Sequence, residues 1–168
     1  MTPEQALDQL RAAGDPDRAA GSAAYHKADR IYLGVAVPVI TDLAQGWRAG
    51  LDVPGRVALA DGLWQTNIHE ARVAAAKLLT QARIKDDDTV WRLIASWVPE
   101  FDAWAIADHV CDAGGRRLLA DPSRIDEVEG WTRELLERLL APCHRALTDA
   151  GISPADLEEV LLVGGMTR

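Results

Sequence analysis

Residues 38–83, PVITDLAQGWRAGLDVPGRVALADGLWQTNIHEARVAAAKLLTQAR, decide the fold, because they predict three helices in close succession. A proline begins the first helix and a glycine ends it, Asp52 caps the second, and Thr66 or Asn67 caps the third. Helices of this length with such short connections are typical of stacked antiparallel helix pairs. The stretch therefore predicts an all-α fold.

Residues that begin and end helices also occur on both sides of this stretch. Thr2 and Asp15, each followed by proline, predict two earlier helices, and Gly114 with the next glycine is expected to end a helix containing DAWAIADHV. A unit of about 40 residues with two helices predicts a HEAT-like solenoid, truncated after about three pairs. We expect a C-terminal helix and a short strand-like segment, Val160–Val163, to complete its open end.

Composition limits the partners of the chain. Its net charge is −8, from 18 basic and 26 acidic residues, which argues against nucleic-acid binding by bulk charge. No apolar run reaches the roughly 20 residues of a membrane span, and the first helix resembles no signal peptide, so we expect a cytoplasmic protein. Cys111 and Cys143 lack metal-ligand spacing and are predicted to be buried, reduced thiols.

Three separated blocks carry a family resemblance. They are DRAAGSAAYHKADRIYLGVAVPVI (17–40), FDAWAIADHV (101–110) and LADPSRIDEVEGWTR (119–133). Together they resemble the DNA alkylation repair family of HEAT-like DNA glycosylases, over residues 1–133. The resemblance implies excision of N3- or N7-alkylated purines without a cofactor. It also implies that Trp104 and Asp108 are catalytic.

The chemistry of Trp104 and Asp108 agrees with that implication. Four residues apart on one helix, they project from the same face. A carboxylate stabilises the oxocarbenium charge of glycosidic cleavage and orients water, while an aromatic face favours a cation. On spacing alone, a core tryptophan and a solvated aspartate remain the alternative. The resemblance also implies a catalytic arginine from a Trp-x-Arg-Arg helix after Arg133. Since none follows, we expect a folded scaffold with weak or no catalysis.

Four residues are predicted to contact DNA. The resemblance makes Tyr25 a second aromatic wall of the cleft, and Lys27, Arg30 and Arg72 are candidates for a basic stripe. Scattered, solvated charges are the alternative for these cations. His69 and His109 have no partners at metal-ligand spacing and are expected to be packed or surface residues, so no metal site is predicted.

Residues 134–168, ELLERLLAPCHRALTDAGISPADLEEVLLVGGMTR, resemble part of the Hsp70 nucleotide-binding domain. The resemblance implies that Gly164, Gly165 and Arg168 belong to a loop that lies against the adenosine of ATP. The other parts of that site do not occur in this sequence, so ATP binding is not expected. We therefore predict a chimera with its seam near Arg133. The alternatives are a nucleotide-binding module, or a structural protein that self-associates through the apolar tail.

Overall fold

The structure is a computed structural model that describes residues 1–159, without the side chains at 134–136, 138 and 139. Its described part contains eight α-helices: α1 (Pro3–Ala12), α2 (Pro16–His26), α3 (Val37–Ala49), α4 (Val53–Trp64), α5 (His69–Leu79), α6 (Asp88–Trp97), α7 (Trp104–Ala120) and α8 (Ile125–Ala150). Short 3₁₀ helices cover Val98–Glu100, Pro122–Arg124 and Pro154–Asp156. The all-α prediction is confirmed, and the predicted strand-like segment lies outside the described residues.

The chain divides into two compact units. Met1–Ser123 holds α1 to α7, and the second unit begins at Arg124 and contains α8. The seam predicted near Arg133 falls inside α8 and stays a prediction. Within residues 1–159, none of the helices combines the length and the apolarity that a bilayer crossing requires.

Local caps begin three of the helices as predicted. The Thr2 hydroxyl accepts a hydrogen bond from the Gln5 amide at 3.2 Å, and the Gln5 side chain accepts one from the Thr2 amide at 2.9 Å. Asp15 accepts bonds from the amides of the second and third residues of α2, and Asp52 accepts the Gly55 amide at 2.9 Å. Each cap costs about 1 kcal/mol to remove, because it satisfies amides that have no intrahelical partner.

The start of α5 differs from the prediction. Its N-cap is Ile68 rather than Thr66 or Asn67, and no side chain of the described residues caps it. Instead the His69 amide donates to the carbonyl oxygen of Ile31 at 2.9 Å, within an isolated parallel bridge. A tertiary contact replaces the local cap, and the residues adjacent to α5 in the sequence do not indicate this contact.

Helix α7 continues through the two glycines that were expected to end it. It runs from Trp104 to Ala120 and includes Gly114 and its neighbour. A Cβ atom at Gly114 would lie 3.5 Å from Cγ2 of Ile94, in ordinary contact. Ala113 and Arg117, on either side of the two glycines, are buried, so packing against the core outweighs the low helix propensity of glycine.

Helix α8 contains an internal proline, Pro142. Proline lacks an amide donor and usually kinks or interrupts a helix, yet the turns on both sides of this one remain helical. Gly151 ends the helix in the left-handed region, at φ 69°. Ser153 and Asp156 then form a capping box, with the Ser153 amide donating to Oδ2 of Asp156 at 2.8 Å.

The core of the first unit is built around α5, which packs against α1, α3, α4 and α7. Ten of its eleven residues are buried, and four of them are alanines that let the neighbouring helices approach closely. Trp64 and Trp97 stack beside it with ring centroids 4.3 Å apart. Because α5 is buried on nearly all sides, it is the central helix on which α1, α3, α4 and α7 pack.

Both cysteines differ from the prediction of buried thiols. Cys111 and Cys143 are free thiols, and both are exposed. On α7, Val110 and Ala113 face the core, so the helical register turns Cys111 towards the surface. Partial desolvation, together with the nearby Asp108 carboxylate, raises the pKa of the Cys111 thiol.

Candidate functional site

A cleft of about 530 Å³ opens in the first unit. Residues from α2, α3, α5 and α7 line it, together with the end of the loop before α3. Those with polar or aromatic side chains are Arg18, Ser22, Tyr25, His26, His69, Glu70, Trp104, Asp108 and His109. The apolar remainder of the lining comes mainly from Val35, Ala36, Val37, Ile40 and Val73.

Helical spacing explains why these side chains meet. Arg18, Ser22 and Tyr25 follow one another at steps of four and three residues on α2, so they share one face. Trp104 and Asp108 stand four residues apart at the beginning of α7 and also share a face. Both faces border the cleft, which brings together the Trp104, Asp108 and Tyr25 side chains singled out in the sequence.

The two aromatic side chains of the cleft are unusually exposed. Tyr25 is 67 % and Trp104 54 % accessible, and their rings meet edge to face with centroids 6.2 Å apart. Large exposed aromatic rings in a concave surface commonly mark a binding site, because burying them would otherwise stabilise the fold. Asp108 is exposed beside them, so its carboxylate is open to the cleft.

Arg30 lies differently from the prediction. Its side chain has no accessible surface, and its Nη2 donates to Oδ1 of Asp102 in an ion pair. Asp102 precedes α7 and Arg30 follows α2, so the pair joins the segments next to the two walls of the cleft. As placed, the Arg30 guanidinium does not reach solvent, because the folded chain surrounds it.

Arg72, a candidate for the basic stripe, is buried in the core. Its Nη2 donates to Oε2 of Glu100 at 2.6 Å, and its Nε donates to the carbonyl oxygen of Trp64 at 3.3 Å. The guanidinium also lies 4.4 Å from the centroid of a Trp64 ring. These partners compensate the desolvation of the charge.

Of the four side chains predicted to contact DNA, Tyr25 and Lys27 are exposed. Lys27 ends α2 in the left-handed region, at φ 57°, directly after the helix that carries Tyr25. Neither Lys27 nor Arg30 belongs to the lining of the cleft. The basic residue in the lining is Arg18, which the sequence did not single out, since its significance depends on the face of α2 that meets α7.

A stack of rings lies behind the aromatic pair. His26 stacks on His69 with centroids 4.7 Å apart, and Tyr32 lies 5.1 Å from His69. Burial, together with the charges of His26 and Arg30, lowers the pKa of His69 to about 4. Burial and the nearby Lys77 charge also lower the pKa of His109. His69 is therefore a packed, neutral residue, as the sequence suggested.

Glu70 fixes the loop that forms one border of the cleft. Its carboxylate is buried and accepts the amides of Leu33 at 2.9 Å and Gly34 at 2.7 Å. Gly34 has φ +76°, and a Cβ atom there would overlap the carbonyl oxygen of Asp15. The backbone therefore requires glycine at position 34, and Glu70 positions the loop through its two amides.

The described residues contain no group of three or more side chains that could hold a metal ion. The cleft itself offers one open carboxylate, two aromatic faces and one guanidinium. Such a set suits a cationic group next to a sugar, because the carboxylate and the ring faces both attract positive charge. The remnant nucleotide loop, Gly164, Gly165 and Arg168, lies outside the described residues.

Comparisons with known proteins agree with both resemblances. The family model of the DNA alkylation repair enzyme matches residues 6–137, and that of the Hsp70 protein matches residues 111–168. A mitochondrial-type heat shock protein 70 from Encephalitozoon cuniculi is 43% identical over 61 residues, which are 36% of this chain and 10% of that protein. The chain thus spans about a tenth of this relative's length. No solved structure matches the chain.

Proposed function

The chain belongs to the DNA alkylation repair enzyme family, and we propose from this that its cleft binds DNA carrying N3- or N7-alkylated purines. The observation that carries the proposal is the convergence of Tyr25, Trp104 and Asp108 on one cleft. Tyr25 stands 79 positions before Trp104 in the sequence, so only the fold brings it to the other two side chains.

The aromatic pair supplies a surface for a cationic base or for the sugar beside it. Alkylation at N3 or N7 gives a purine a positive charge, and an aromatic face attracts a cation by about 0.5–2 kcal/mol. The edge-to-face arrangement of Tyr25 and Trp104 offers two walls at a large angle, 82°, rather than one flat platform. A nucleotide can therefore contact one ring through its base and the other through its sugar.

Asp108 is placed to act on the glycosidic bond. Loss of a cationic base leaves positive charge on the sugar, and an open carboxylate stabilises that charge and orients the attacking water. Because Asp108 lies one turn after Trp104 on the same face, a sugar held against the indole lies beside the carboxylate. The proposed roles are binding for Tyr25 and Trp104 and charge stabilisation for Asp108.

We expect this chemistry to be slow. No Trp-x-Arg-Arg sequence follows Arg133 in residues 134–168, so the second group that stabilises the transition state in the resembled family has no counterpart there. Loss of one such electrostatic group typically costs a factor of 100 to 1,000 in rate, roughly. The proposed function is therefore recognition of alkylated DNA with weak or no excision.

The test measures binding and release on one substrate. A duplex containing 7-methylguanine is titrated for affinity, and the release of free 7-methylguanine is followed over hours. We expect saturable binding that is tighter than for unmodified DNA, with release close to the uncatalysed rate. Trp104→Ala should remove most of the preference for alkylated DNA, because it deletes an aromatic wall.

Asp112→Asn is the matched control for Asp108→Asn. Asp112 stands one turn further along α7, is exposed, pairs with Arg116 at 3.3 Å and does not line the cleft. If both aspartate variants reduce the preference for alkylated DNA equally, the cleft is not the binding site. Fast turnover that disappears in Asp108→Asn alone would contradict weak catalysis while supporting the site.

A further inference from the structure

The cleft contains a guanidinium that the fold does not use for an ion pair. Arg18 lies on the cleft-facing side of α2, and among the described residues it has no carboxylate at salt-bridge distance. Its recorded side-chain hydrogen bond is a long one, 3.4 Å from Nη1 to the carbonyl oxygen of Gly34. A guanidinium has five N–H donors, so most of its capacity remains open.

The contrast with the other arginines near the cleft is sharp. Arg30 pairs with Asp102, and Arg72 pairs with Glu100, each with its side chain at most 8% exposed. Arg18 is exposed, and it borders the same cavity as Trp104 and Asp108. Burial and pairing hold the first two in place, whereas Arg18 is available to a ligand.

The surroundings of Arg18 also favour an anion. Ser22, one turn later on α2, lines the cleft and can donate its hydroxyl proton. The amino end of α3 reaches the cleft at Ala36 and Val37, and no side chain of the described residues caps it. Pro38 has no amide donor, so the amides of Val37 and Val39, with the helix dipole, add the positive potential at this end.

The acids of the lining do not cancel this potential. The Glu70 carboxylate borders the cavity, but it is buried and each of its oxygens accepts a backbone amide, which offsets part of its negative charge. Asp108 is open, and its negative charge repels a phosphate from the Trp104 side of the cleft. The cleft therefore has one end suited to an anion and another suited to a cation.

We propose that Arg18, assisted by Ser22 and the amino end of α3, binds a phosphodiester of the DNA backbone. The phosphate at this end places the adjoining deoxyribose towards Trp104 and Asp108. The inference rests on the proposed DNA binding and adds a phosphate-binding residue to it. Because a backbone contact carries no base information, Arg18 supplies affinity and register, while the aromatic pair supplies preference for the lesion.

The salt dependence of DNA affinity tests this role. Each phosphate neutralised in B-DNA contributes about 0.9 to the slope of log K against log salt concentration. Arg18→Gln should therefore reduce the magnitude of the slope by about 0.9 and weaken binding about eightfold at about 0.1 M salt. The loss should be equal for alkylated and unmodified duplexes, and Arg18→Lys should restore most of the slope.

Arg11→Gln is the matched control. Arg11 is an exposed arginine on α1 that pairs with Asp8 at 3.0 Å and lies outside the lining of the cleft. It removes the same charge, so an equal change of slope in the two glutamine variants would overturn the role of Arg18. Unchanged slopes in both would overturn it too. Absence of any DNA binding by the wild-type chain would instead refute the proposed function, and this proposal with it.

Discussion

The loop before α3 provides a quantitative test of how the sequence positions the cleft. Gly34 has φ +76°, and an added Cβ atom would overlap the Asp15 carbonyl oxygen and lie 2.6 Å from the Ala19 amide nitrogen. Both neighbours are backbone atoms at the start of α2, so neither can rotate away. Gly34→Ala therefore has to displace the loop or the beginning of the helix.

The cost follows from the contacts that this displacement breaks. An alanine in the left-handed region costs about 1 kcal/mol relative to glycine. Moving the loop also strains the bond from the Asp15 amide to the Leu33 oxygen, 2.9 Å, and that from the Gly34 amide to Glu70, 2.7 Å. At about 1 kcal/mol for each bond, the free energy of unfolding falls by about 3 kcal/mol.

Urea unfolding followed by tryptophan fluorescence measures this loss, because five of the six tryptophans lie in Met1–Ser123. With a slope of about 2 kcal/mol per molar urea, the midpoint of Gly34→Ala should fall by about 1.5 M. Gly46→Ala is the control: a Cβ atom there meets nothing within 4 Å inside α3, and the midpoint should rise by about 0.5 M. A Gly34→Ala midpoint equal to or above that of the wild type would refute the reasoning.

Three further outcomes are expected. Glu70→Ala leaves the two loop amides without their acceptor and should lower the free energy of unfolding by roughly 2–4 kcal/mol, whereas Glu70→Gln keeps one acceptor oxygen and should lose less; urea unfolding of both checks this order. The His69 pKa is about 4 in the folded chain and 6.5 in the unfolded chain, so the unfolded chain takes up the proton first on acidification. The stability advantage of the wild type over His69→Gln should therefore be full above about pH 6.5 and shrink as the pH falls to about 4. An advantage that grows on acidification would contradict this. Calorimetric titration with ATP should give no saturable heat, and saturable binding weakened by Gly165→Val would show that the Hsp70-like segment retains a nucleotide site.

Short-range signals in the sequence predicted the helical architecture well. The caps at Thr2, Asp15 and Asp52 and the left-handed Gly151 depend on a few adjacent residues, so the local sequence contains all the information they need. Two features were mispredicted because distant residues determine them. The Ile31 oxygen replaces a side-chain cap at α5, and burial of Ala113 and Arg117 against the core carries α7 through its two glycines.

The cleft shows the same division between local and tertiary information. The spacing of Trp104 and Asp108 predicts a shared face, and the structure shows both at one cavity. The basic residues could not be ranked from the sequence, since Arg30 and Arg72 find their carboxylates 72 and 28 positions away. Arg18 is distinguished only when α2 and α7 face each other across the cleft.

Hydrogen exchange on the chain bound to a 7-methylguanine duplex tests the location of the site most directly. We expect added protection at 18–37, which covers one wall and its loop, and at 104–109, the wall carrying Trp104 and Asp108. Protection confined to other segments, with these two ranges exchanging as in the free chain, would contradict the claim that this cleft binds alkylated DNA.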